Sequence, residues 1–186
     1  YKVSDEGSLV EKVNKANNSV STEILPVKYT KNLIKDSSFE NESINIEGQN
    51  FNIVEGNPRS GNKSLYICSD ENGYGLASIT FDVPKGKDYT FSFYSKGTRS
   101  YNVFFGYYVE GKIINVEASE EYKRYDITIH YSEDATSPLE VTFTIDSYGR
   151  AYIDDIQLEE GKIANYYNLI PSEYLDDLSK WEVSAQ

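Results

Sequence analysis

Asp88-Tyr89-Thr90-Phe91-Ser92-Phe93-Tyr94-Ser95-Lys96 alternates large apolar and small polar side chains over most of its length. A β-strand sends successive side chains to opposite faces, so Tyr89, Phe91 and Phe93 take one face and Thr90, Ser92, Tyr94 and Lys96 the other. The same rule places Tyr125, Ile127 and Ile129 inside, with Arg124, Asp126, Thr128 and His130 outside. It packs Val141, Phe143 and Ile145 inward while Thr142 and Thr144 face out. Apolar runs bounded by Gly, Pro, Asn, Asp or Ser predict strands over 51–54, 63–69, 75–82, 88–96, 100–109, 113–118, 122–131, 139–146 and 150–158. No long amphipathic pattern interrupts them between Asn32 and Gly161. So many antiparallel strands with hairpin-length connections predict an all-β chain, a jelly-roll β-sandwich of two antiparallel sheets.

Two stretches bracket this series. Asn32-Leu33-Ile34-Lys35-Asp36-Ser37-Ser38-Phe39-Glu40 opens it, and Tyr152-Ile153-Asp154-Asp155-Ile156-Gln157-Leu158-Glu159-Glu160-Gly161 closes it. They read as the first and last strands of one sandwich spanning 32–161. Residues 1–31 are polar and weakly patterned, which predicts a linker or the end of an upstream unit. The Asn-Leu-Ile opening recurs at Asn168-Leu169-Ile170, so 162–186 reads as a linker and the start of a following module. A short helix is expected over 171–178, where Pro171 suits a first turn and the acidic residues favour it.

The 186 residues suffice for one well-filled domain with flanking segments. Seventeen Tyr and 8 Phe, against no Met and one Trp, favour pleated, half-buried surfaces. A net charge of −12 repels phosphate backbones and anionic membrane surfaces, which argues against nucleic acid as a partner. No stretch approaches the roughly 20 apolar residues that span a bilayer, so membrane insertion is not expected. The single cysteine, Cys68, has no internal disulfide partner and sits in the apolar run Leu65-Tyr66-Ile67-Cys68, as a small strand residue does. With Tyr1 in place of an initiator Met, the expectation is a piece of a longer secreted or cell-surface protein.

Five of these stretches, in this order, resemble bacterial carbohydrate-binding modules of families four, nine and twenty-two. They are Asn32-Leu33-Ile34 with Ser38-Phe39-Glu40, Ser60-Gly61-Asn62-Lys63-Ser64-Leu65, the run from Tyr89 to Lys96, Glu121-Tyr122-Lys123-Arg124-Tyr125, and Tyr152-Ile153-Asp154-Asp155-Ile156. The resemblance covers about residues 32–161 and implies a jelly-roll, galactose-binding-like sandwich with a glycan or polysaccharide as partner. Asp36-Ser37-Ser38-Phe39-Glu40 departs from the family's commoner Asn-Gly-Asp-Phe-Glu, and Tyr94 and Tyr122 stand where Trp is frequent. The resemblance also implies a structural calcium ion near the joined terminal strands, at Glu40, the backbone around Asn62 and Lys63, and one or both of Asp154 and Asp155. Adjacent aspartates on a strand point to opposite faces, so only one of that pair is expected at the ion.

Strand 100–109 is the most suggestive for ligand. With Tyr101, Val103, Phe105 and Tyr107 in the core, Asn102, Phe104, Gly106 and Tyr108 face out beside Thr142 and Thr144 of the strand expected next to it. Flat rings beside hydroxyls and amides suit the apolar C–H faces and equatorial hydroxyls of sugars. The opposite sheet offers Tyr94 and Arg124, with Asp126 and His130, and which sheet carries a site is left open. A chain with 17 tyrosines also exposes several merely as strand formers. Catalysis is not expected. His130 is the lone histidine, Cys68 lacks an obvious base, and paired acids such as Asp154-Asp155 and Glu159-Glu160 nominate no glycosidase without a cleft around them. The reading is a non-catalytic glycan-binding module of a larger protein with neighbouring modules. The alternative is a structural spacer or protein-receptor-binding module of a toxin, phage tail or surface protein.

Overall fold

In the computed structural model, residues 8–14, 19–25, 31–69 and 73–167 are described, the first two stretches as backbone. The chain divides into two units, 1–30 and 31–186. In the first, β1 (Ser8–Asn14) and β2 (Ser19–Leu25) form an antiparallel hairpin, Ser8 opposite Leu25 and Asn14 opposite Ser19. The weak patterning of 1–31 predicted no strand there. The Asn168-Leu169-Ile170 recurrence and the helix expected over 171–178 lie outside the described residues.

The second unit is the sandwich, and among its described residues there is no helix. One sheet contains β10 (Ser119–Tyr131), β7 (Lys87–Gly97), β12 (Arg150–Glu160), β5 (Lys63–Cys68) and β4 (Phe51–Glu55) in that spatial order. The other contains β3 (Glu47–Gln49), β6 (Gly75–Phe81), β11 (Leu139–Ile145), β8 (Tyr101–Tyr107) and β9 (Glu110–Val116). Every neighbouring pair is antiparallel. The jelly-roll sandwich expected from the alternation is therefore the fold, with the edge strand β3 added.

The inward residues are those that alternation picked out. Tyr89, Phe91 and Phe93 from β7 meet Val103 and Phe105 from β8 and Val141, Phe143 and Ile145 from β11, all buried. Phe91 sits between the sheets, its ring centroid 5.6 Å from both Phe93 and Phe105 and 6.2 Å from Phe143. Such offset aromatic packing explains the richness in Phe and Tyr. Tyr125 is only half-buried at the margin of this core.

The two bracketing stretches meet, as expected, but the front one is not a strand. Buried Asn32 accepts from the backbone N–H groups of Ile34 and Leu158 and donates to Ile156 O, while Leu33 N–H donates to Leu158 O. After Ile34 the chain turns. Asp36 sits at φ 54°, a left-handed conformation that aspartate tolerates, and its carboxylate accepts from the backbone N–H of Asn41 and Ser43 at 2.9 and 2.8 Å.

Candidate functional site

The outer face of the sheet β3-β6-β11-β8-β9 is a continuous grid. Register places Thr142 opposite both Phe104 and Ser78, and Thr144 opposite Asn102, while Phe104 faces Ile113 and Asn102 faces Asn115 across β9. Three of the predicted residues on this face, Asn102, Phe104 and Thr142, are thus brought together, with Thr144 alongside. Ser78 and Thr142 share a hydroxyl hydrogen bond of 2.8 Å, and Asn115 Nδ2 donates to Asn102 Oδ1 at 3.3 Å.

Phe104 owes its posture to two glycines. Gly106 pairs with Gly111 across the β8–β9 hairpin, and a Cβ placed on Gly111 would lie 2.2 Å from Phe104 Cε2 and 2.4 Å from Cζ. The ring therefore lies down over the glycine pair, half-buried, beside an Ile113 that is 68% exposed. An aromatic ring lying low on a sheet and flanked by hydroxyls and amides can stack on the apolar face of a ring-shaped ligand while its polar edge is hydrogen-bonded.

Tyr108 falls elsewhere. β8 ends at Tyr107, and Tyr108 occupies the two-residue turn into β9, 87% exposed, with its backbone N–H donating to Ser137 Oγ. The expectation that strand 100–109 carries it onto the face with Phe104 is corrected, because the glycine-backed hairpin turns two residues earlier.

On the other sheet, Tyr94 and Arg124 are half-buried rather than free. The Arg59 guanidinium lies 3.6 Å from the centre of the Tyr94 ring. Arg124 Nη2 donates to Ser92 Oγ at 3.2 Å and also to Asn165 O. Asn165 belongs to the segment leaving β12, which crosses this part of the sheet. Its amide groups bond the Glu159 carboxylate, Thr90 Oγ1 donates to Gly161 O, and outward Thr90 and Ser92 are buried as a result. Alternation assigns a face correctly and cannot foresee a segment laid over it.

The acidic residues that the resemblance implies for calcium accept hydrogen bonds from the loop running into β5. β12 shifts register between Asp154 and Gln157, with Asp155 at φ 49°, so a bulge turns both carboxylates toward the loop before β5. This corrects the expectation that only one of the pair would reach that place. Asp154 Oδ2 accepts from the N–H groups of Arg59 and Ser60 at 2.6 and 3.1 Å, and Oδ1 from that of Asp155. Asp155 accepts from the Arg59 guanidinium and the Ser60 hydroxyl. Glu40 Oε1 accepts from the N–H groups of Asn62 and Lys63 at 2.8 and 2.9 Å. Calcium wants six to eight oxygen donors with lone pairs free. Here every oxygen of the aspartate pair faces a donor, and no group of three acidic, His or Cys residues suited to a metal occurs among the described residues. Arg59 supplies positive charge to the aspartate pair at the place where the resemblance implies calcium. Melting temperatures in excess calcium and in chelator are expected to coincide, and a clear rise with calcium would overturn this assignment.

Burial raises the Asp154 carboxyl to about 7, helped by the charge of Asp155. Burial likewise pushes the phenol of Tyr167 up to about 12, although it bonds Ser37 Oγ at 2.9 Å.

No family model matches the sequence, and no curated protein matches it either. Solved structures do. A family 61 carbohydrate-binding module in complex with β-1,4-galactotriose is 18% identical, with a TM-score of 0.55 over 71% of this chain and 100% of that one. The CBM22-1 xylan-binding domain of Xyn10C from Paenibacillus barcinonensis is 16% identical, with a TM-score of 0.54 over 73% of this chain and 97% of that one. The fold is the β-sandwich jelly roll that these two structures share. It also occurs within a larger chain, the enzymatically active domain of tailspike protein 4 of bacteriophage CBA120, at 15% identity and a TM-score of 0.56 over 70% of this chain and 21% of that one.

Sequence reasoning missed Ser78, Ile113 and Asn115, which complete the face of this jelly roll. Their signal was available. Once Phe104 is outward and Gly106 opposes Gly111, antiparallel register dictates Ile113 and Asn115. Arg59 carried no signal, since an arginine in a loop between strands says nothing about which buried acid it will meet.

Proposed function

We propose that the chain is a non-catalytic glycan-binding module that lays a saccharide along the outer face of the β3-β6-β11-β8-β9 sheet. One observation carries this reading: Phe104 lies over the Gly106–Gly111 pair, one strand in from the β9 edge of the face, with Ser78 and Thr142 on one side and Asn102 and Asn115 along its strands. The structural neighbours add support, since two of them are described as a complex with galactotriose and as a xylan-binding domain. Glu140 of β11 lies opposite Gly106 on this face, and the proposed role is retention of a ligand. As part of a secreted or cell-surface protein, the module gains apparent affinity from neighbouring modules by effective concentration.

The test is a screen of the 186-residue chain against plant, microbial and animal glycans. Phe104→Ala is expected to weaken a hit about tenfold, the worth of one stacked aromatic face. Gly111→Ala is expected to weaken it several-fold with the fold intact, because the new methyl takes the space of the ring and the ring, as the end of a flexible side chain, swings away. Binding indifferent to both substitutions would remove this face from consideration. The sandwich within the phage tailspike chain favours a second reading, a spacer or receptor-binding module, and silence across the whole screen would move the assignment there.

A further inference from the structure

The other sheet carries a cleft that the proposed glycan face does not use. It opens where β7 ends and β10 and β12 begin, has a volume of about 670 Å³, and is lined by Asn57, Lys96, Thr98, Ser119, Arg150 and Tyr152 among others. We propose that this cleft is a second saccharide site, selective for a sugar bearing an anionic group, carboxylate or sulfate.

The chain has 30 acidic against 18 basic residues, yet this cleft has two cations and one acid, Glu120, among its lining residues. Neither Lys96 nor Arg150 has a carboxylate partner among the described residues. Lys96 is nevertheless held in place. Its ammonium lies 4.8 Å from the centre of the Tyr122 ring and 5.7 Å from that of Tyr152, while Tyr122 is itself anchored by donating its hydroxyl to Asn57 O at 2.6 Å. Cation–π contacts fix a lysine without neutralising it, so the charge stays available to a ligand. Arg150 is exposed, and Thr98 fastens only its backbone, through Thr98 N–H to Arg150 O and Arg150 N–H to Thr98 Oγ1. Its planar guanidinium is free to take a carboxylate or sulfate in a two-point hydrogen bond.

The remaining lining suits a sugar ring. Tyr152 packs at 5.1 Å on Tyr66, a preformed aromatic pair beside the cleft. Asn57, Thr98 and Ser119 offer an amide and two hydroxyls to ring hydroxyls. The net charge of −12 repels anions at long range, so recognition here depends on these two cations acting within a few ångströms, inside the screening length.

The experiment is a titration of the full chain, by calorimetry, with an oligogalacturonate, a sulfated oligosaccharide and the neutral counterpart of each. Binding of an acidic oligomer, absent or much weaker for its neutral counterpart and weakened by added salt, is expected. Whichever acidic oligomer binds tighter names the anionic group. Arg150→Gln is expected to weaken binding about tenfold, the loss of one charge-assisted bidentate contact, and Lys96→Met with Arg150→Gln to abolish it. The first of these substitutes an exposed side chain, so the test survives if the double variant does not fold. Phe104→Ala is expected to leave this binding unchanged, which separates the site from the proposed glycan face. Equal affinity for acidic and neutral oligomers, indifference to Arg150→Gln, or loss with Phe104→Ala would overturn the proposal.

Discussion

Arg59→Ala is expected to destabilise the sandwich by about 3 kcal/mol, the order seen when one partner of a buried ion pair is removed. The Asp155 side chain has no exposed surface and that of Arg59 is 32% exposed, so solvent screens the pair only in part. Without the guanidinium, Asp155 keeps a buried charge beside a second carboxyl, and Tyr94 loses the cation stacked 3.6 Å over its ring. Arg59→Lys is not expected to restore the loss, because a point charge cannot both bond the carboxylate and stack on the ring. Urea unfolding at neutral pH gives the measurement. Combining Arg59→Ala with Asp155→Asn should cost less than the sum of the two, since the second substitution removes the charge that the first leaves unpaired. A cost for Arg59→Ala below about 1 kcal/mol would place the pair among the solvent-screened ones and refute its fastening role.

That pair also marks where the sequence stops being legible. The sandwich follows from period-two alternation because a side chain's face is a local property of a strand. Phe91 inside and Thr142 outside need no knowledge of the rest of the chain. The neighbours of Phe104 were half legible: β11 beside β8 was expected, whereas Ser78, Ile113 and Asn115 follow only once register is fixed. Two things were not legible at all. One is the bulge at Asp155, which breaks the rule that adjacent side chains oppose each other and turns Asp154 and Asp155 toward one loop. The other is what covers a face. Thr90 and Ser92 point outward as their alternation demands and are buried anyway, because the segment leaving β12 crosses over them. Both are non-local facts, set by parts of the chain far from the strand concerned.

The stability of the protein is expected to fall between about pH 4 and pH 7 through Asp154. Its carboxyl titrates near 7 in the folded chain and near 3.8 when unfolded, because burial penalises the charged form and Asp155 adds repulsion. A group that holds its proton more tightly in the native state stabilises that state fully below the unfolded value. The advantage is lost as pH rises through the folded value. A shift of about 3 units corresponds to at most about 4 kcal/mol at 1.36 kcal/mol per unit. Relaxation of the loop around the carboxyl reduces this, so a loss of about 2 kcal/mol is expected. Urea unfolding across this range, in the parent and in Asp154→Asn, isolates Asp154 together with its coupling to Asp155, because titrating groups away from that pair contribute to both profiles. In that variant the new side-chain amide meets backbone N–H donors where the Asp154 carboxylate accepted from them, which lowers the variant's profile as a whole without tilting it. The informative quantity is therefore the difference in slope. Parallel profiles would mean that Asp154 is ionised throughout, the N–H groups of Arg59, Ser60 and Asp155 outweighing both its burial and the charge beside it.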